Sequence, residues 1–135
     1  MAGMELHNGD GKFVVVGSGC YCSTSIDGET WTEPKVIGDT KGSFSNIIYA
    51  NGIFVAVGDC ISISKDGGET WTMTLKRTGY VWNNIAYNNG VFVITGQNGF
   101  IRTSIDGETW TEIVQIKDED GNTVTKTLYG IVAML

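Results

Sequence analysis

Ser25-Ile26-Asp27-Gly28-Glu29-Thr30-Trp31, Ser64-Lys65-Asp66-Gly67-Gly68-Glu69-Thr70-Trp71 and Ser104-Ile105-Asp106-Gly107-Glu108-Thr109-Trp110 are three copies of one phrase. Their leading serines stand 39 and 40 residues apart, so the period, rather than any single residue, is the first clue to the fold. About 40 residues is the length four short strands and their turns require, the size of one propeller blade.

The chain between the phrases agrees. Asn46-Ile47-Ile48-Tyr49-Ala50 and Asn84-Ile85-Ala86-Tyr87-Asn88 read as strands that end at Asn51-Gly52 and Asn89-Gly90. Asn-Gly is the strongest short hairpin signal because both central turn positions need positive φ. The runs Phe13-Val14-Val15-Val16-Gly17, Phe54-Val55-Ala56-Val57-Gly58 and Phe92-Val93-Ile94-Thr95-Gly96 follow, continuous and β-branched, as suits interior strands. A third strand, Cys20 to Ser25, Cys60 to Ser64 and Phe100 to Ser104, leads into each phrase. A fourth is expected to start at the Thr-Trp pair and run on as Thr32, Thr72 to Leu75 and Thr111 to Val114. The reading is all-β, one domain over residues 1–135, with three four-stranded antiparallel blades at about 4–37, 44–78 and 82–116.

Composition narrows the function classes. Of 135 residues 41% are hydrophobic, enough for a core; Gly numbers 19 against a single Pro, which suits many tight turns. The formal net charge of −6, with no Lys or Arg cluster, argues against nucleic-acid binding. No apolar run approaches the roughly 20 residues of a membrane helix, and Met1-Ala2-Gly3-Met4-Glu5 has neither a basic head nor an apolar signal core. The expectation is a soluble chain without export signal or membrane contact, cytoplasmic or virion-associated. Cys20, Cys22 and Cys60, with His7 the only histidine, make no zinc set and read as buried, reduced thiols; no metal or cofactor is expected.

The phrase resembles the Asp-box (bacterial neuraminidase, BNR) repeat, Ser/Thr-x-Asp-x-Gly-x-Thr-Trp/Phe. Ser64 to Trp71 matches letter for letter, and the copies at Ser25 and Ser104 are one residue shorter between Asp and Thr, so their turn geometry is expected to differ. The resemblance implies a turn between the third and fourth strands at the blade periphery. Ser25, Asp27, Gly28, Thr30, Trp31, Ser64, Asp66, Gly68, Thr70, Trp71, Ser104, Asp106, Gly107, Thr109 and Trp110 then have structural roles. Residue chemistry agrees: Asp accepts backbone N–H groups of its own turn, Gly permits positive φ, and Trp fills the gap to a neighbouring blade. The family includes sialidases, whose chemistry needs an arginine cluster, a Tyr–Glu pair and an acid–base Asp. This chain has only Arg77 and Arg102, so no enzyme and no catalytic residue is expected. The resemblance implies instead a recognition disc for a glycan or protein, of the lectin-like or phage-component kind. A purely structural, self-assembling piece is the alternative.

Three blades fall short of the 4–8 that close a ring. Leu128 to Leu135 aligns with the opening strands at Asn46 and Asn84 and then stops, while Met4 to Gly9 is a poor version of the same strand. The sequence thus suggests a homodimer closing a six-bladed ring, with residues 128–135 of each chain supplying the inner strand of the other's first blade, and the alternative is a fragment of a longer propeller. A hairpin is expected over 114–126, around Asp120-Gly121. The run from Asp118 is no EF-hand loop, since its twelfth position is Tyr129. Candidate ligand contacts are Arg77, Tyr80 and Trp82, a cation with two aromatics suited to sugar faces, and Asp59 and Gln97 in the loops between second and third strands.

Overall fold

The computed structural model describes residues 11–134. Among the described residues eleven strands form three antiparallel sheets. The first holds β1 (Phe13–Val16), β2 (Tyr21–Ser25) and β3 (Lys35–Val36). The second holds β4 (Phe44–Ala50), β5 (Ile53–Gly58), β6 (Ile61–Ser64) and β7 (Thr72–Leu75). The third holds β8 (Trp82–Asn88), β9 (Val91–Gly96), β10 (Phe100–Ser104) and β11 (Val114–Gln115), with a 3-10 turn at Gln97–Gly99. Each sheet is a meander in chain order, and β4 lies against β8. The Met4–Gly9 strand lies outside the described residues, as does Leu135, so the first blade is described with three strands.

Local chemistry explains the turns. Asn51 and Gly52 have φ of 52° and 79°, Asn89 and Gly90 50° and 80°, the positive pair a two-residue hairpin needs. Both inner strands carry a one-residue register shift near their start, between Phe44 and Asn46 and between Trp82 and Asn84.

The outer strands depart from expectation. Only β7 begins directly after its Trp. In the first and third blades the outer strand is a two-residue piece further on. There Thr32 and Thr111 make one backbone bond each, to the carbonyls of Thr24 and Thr103 at 2.9 Å. Their hydroxyls accept from the amides of Thr24 and Thr103 at 3.0 Å, so side chain replaces ladder. Pro34, with no N–H to give, adds to the delay in the first blade.

The core sits between the blades. Val14, Cys22, Ile37, Phe44, Ile47, Phe54 and Ala56 join the first and second blades, and Val55, Val57, Ile61, Ile63, Trp82, Ile85, Phe92 and Ile94 join the second and third. Burial of each such Val, Ile or Phe contributes about 1.5–3 kcal/mol, so a blade owes its stability to its neighbours. The three cysteines are buried and unlinked, Cys20 Sγ lying 3.8 Å from Cys60 Sγ across the first interface. Burial, reinforced by Cys60, pushes the Cys20 thiol up to about 12.

The predicted hairpin is one bridge deep: Lys117 pairs with Thr123, Val124 N–H donates to Ile116 O, and Asp118 and Asn122 close the turn. Its first residues, Val114–Gln115, belong to the third blade's edge. Residues 128–134 form no strand ladder among the described residues. No helix among the described residues is long and apolar enough to cross a membrane.

Candidate functional site

In all three phrases the Ser hydroxyl is the hub. Ser25 Oγ accepts from Gly28 N at 2.7 Å and donates to Asp27 Oδ1 at 3.0 Å, and Ser104 does the same with Gly107 and Asp106. Asp27 Oδ1 also accepts from the amides of Glu29 and Thr30, Asp106 Oδ1 from those of Glu108 and Thr109. Those backbone donors hold both carboxyls below the usual range, the Thr30 and Thr109 amides most of all. In the longer copy Asp66 takes both the hydroxyl and the amide of Thr70, and the hydroxyl above all brings it from 3.8 to about 2. The extra glycine there also serves the tryptophan: Trp71 Nε1 donates to Gly68 O at 3.0 Å. Trp110, in a shorter copy, has a buried Nε1 with no hydrogen-bond partner among the described residues.

The candidate ligand residues do not converge. Trp82 opens β8 inside the core at 1% exposure, with Arg102 Cζ 5.8 Å from its ring centroid, so its faces are closed to a sugar. Asp59 Oδ2 accepts from Ser43 N at 2.7 Å and its own amide donates to Ser43 O at 2.9 Å. Gln97 repeats that clamp one blade on, with Val81 N on its Oε1 and its amide on Val81 O, both 3.2 Å. Both side chains are spent on shaping the strand entry. Arg77 and Tyr80 remain exposed, Tyr80 held edge-on to Phe100 at 5.0 Å between centroids.

Two features escaped the sequence reading. Asn46 and Asn84 hold equivalent places on the inner strands; each accepts from the next backbone amide, and Asn46 Nδ2 donates to Asn84 Oδ1 across the blades. Asn84 passes the relay to Tyr129 O, where the repeat alignment has Gly130 in the Asn place. That alignment was the available signal.

The second is the docking of the C-terminal segment. Leu128 N–H donates to Gly96 O at 2.8 Å, and Phe44 N–H donates to Gly17 O at 3.2 Å. Gly17 and Gly96 are equivalent blade ends, as Phe44 and Leu128 are equivalent strand starts. Asn83 Nδ2 adds a bond to Leu128 O at 3.1 Å. The segment therefore takes, on the third blade, the place that the next blade's inner strand takes on the first. It leaves Tyr129, Val132 and Met134 at 77, 89 and 91% exposure. A cleft of about 200 Å³ separates Ile131–Met134 from Ala86, Val91 and Val93.

No family model and no curated protein matches the chain. A solved structure described as "YCF48 bound to D1 peptide" is similar at 26% identity and a TM-score of 0.53, over 76% of this chain and 36% of that one. The chain thus spans about a third of that β-propeller protein's length. With the three meander sheets, the likeness supports a β-propeller fold.

Proposed function

We propose that this chain is a non-enzymatic β-propeller module of the Asp-box kind that binds protein or assembles through its open blade surfaces. The carrying observation is the C-terminal segment, docked on the third blade by inter-blade bonds with Tyr129, Val132 and Met134 outward. Such an element is suited to strand addition, in which backbone bonds give affinity and alternate side chains give selectivity. The similar propeller described with a bound peptide supports the same reading. The Asp-box turns serve as blade fasteners in it, since the Ser and Asp side-chain oxygens are engaged within their own turns. Arg102 lies with its Cζ 5.8 Å from the ring centroid of buried Trp82.

The test is a displayed library of extended peptides, screened against the chain and against a version lacking residues 128–134. Peptides selected only by the full chain support the proposal. A chain that selects none and never associates, or selects equally after truncation, defeats it.

Glycan binding is the second reading, supported by exposed Tyr80 beside Arg77 in one loop. It calls for a glycan-array signal that Tyr80→Ala removes, and for an unhydrolysed fluorogenic sialoside.

A further inference from the structure

Each inter-blade interface in the chain is built the same way. The glycine whose amide donates to the serine of one blade's turn rests on the second strand of the blade before it. A Cβ placed on Gly68 would lie 3.7 Å from both Val14 Cγ2 and Thr24 Cγ2, a pair opposite each other in the first blade. One placed on Gly107 would lie 2.6 Å from Ile53 Cδ1 and 3.5 Å from Val55 Cγ2 of the second blade. The tryptophans follow: Trp71 packs into the first interface and Trp110 into the second.

The two ends of the stack carry the halves of a third such interface. At the start, Gly28 has the φ of Gly107, +79°, yet among the described residues a Cβ there would meet only its own blade's Phe13, and Trp31 is 36% exposed. At the other end the third blade presents Val93 opposite Thr103, repeating the Val14–Thr24 pair on which Gly68 rests. Where the other seats carry Lys12 and Lys65, which pair with Glu69 and Glu108 at 3.4 and 3.0 Å, this one carries Val91 and Ile105. The end seat thus lacks the lysine that each formed seat carries, and the C-terminal segment extends it.

From this repetition we infer that the occupant of the third blade's open face is the first blade of a second copy of this chain, with the Gly28 turn over Val93 and Thr103 and Trp31 in the place of Trp71. A two-fold axis then repeats the contact, and two three-bladed chains make a six-bladed ring, within the range of closed propellers. The inference rests on the assembly reading and names its partner.

The test is the solution mass of the full chain by sedimentation across a concentration series, with the variants Trp31→Lys and Thr103→Lys. The parent sediments at twice the chain mass. Each variant weakens the dimer at least tenfold with an unchanged near-ultraviolet circular dichroism spectrum. An equimolar mixture of the two regains association, because one unaltered front then meets one unaltered back. A parent that stays at one chain mass, a dimer indifferent to both substitutions, or a mixture that stays monomeric overturns the second copy. The peptide screen is read separately, so a monomer that still selects peptides sinks this inference and leaves the protein-binding reading standing.

Discussion

Alanine at Gly107 and at Gly28 isolates the contribution of one blade to the next. The two glycines share the heptapeptide Ser-Ile-Asp-Gly-Glu-Thr-Trp and φ of +79°. A Cβ at either would meet its own blade's phenylalanine, Phe92 or Phe13, at 3.7 Å. The left-handed conformation costs an alanine about 1–2 kcal/mol, offset by about 0.4–1 kcal/mol from the less flexible unfolded chain. Both contributions cancel in the comparison. What remains at Gly107 is the 2.6 Å approach to Ile53 Cδ1, the end of a flexible side chain that must leave its rotamer at about 0.5–1.5 kcal/mol. Gly107→Ala is therefore expected to destabilise by about 0.5–1.5 kcal/mol more than Gly28→Ala, measured by urea unfolding followed through tryptophan fluorescence at low protein concentration. Equal losses there, or a larger loss at Gly28, refute the inter-blade seat. Repeating the pair at high concentration, where ring closure places a blade behind Gly28, should narrow the gap.

Trp82→Ala is expected to destabilise by about 3–5 kcal/mol, as a cavity in the second interface, and calorimetry should show it before any binding assay does. Asp66 supplies a pH dependence: its carboxyl titrates near 2 when folded against 3.8 ordinarily, so its contribution is present above 3.8 and fades as pH falls toward 2. Asp66→Asn should flatten that limb of an acid-unfolding curve. The buried thiols, with Cys20 raised to about 12, are expected to resist iodoacetamide at pH 8 until the chain unfolds, so alkylation should track the unfolding rate. Alkylation of the native state at the rate of a free thiol would contradict that burial.

The periodic part of this protein was legible in the residues. The three Ser-to-Trp phrases, the Asn-Gly hairpins and the β-branched runs are local signals whose geometry follows from positive φ, side-chain acceptors and strand alternation. They specify meander sheets wherever they stand. The shortened outer strands at Lys35–Val36 and Val114–Gln115 were less readable, because a threonine hydroxyl there competes with the backbone ladder. Trp82 was misleading for a different reason: a Gly-containing loop and an aromatic look alike whether the ring faces solvent or, as here, a neighbouring sheet.

Sequence alone determined the repeat unit and its turns, since these depend on contacts within about 40 residues of chain. Tertiary structure decided which faces are filled. Only the stacking of three sheets shows that Asn46 hands a hydrogen bond to Asn84, and that Leu128 docks on Gly96 as Phe44 docks on Gly17. Burial between sheets is a property of pairs of blades, and no single blade's residues reveal which side has a neighbour.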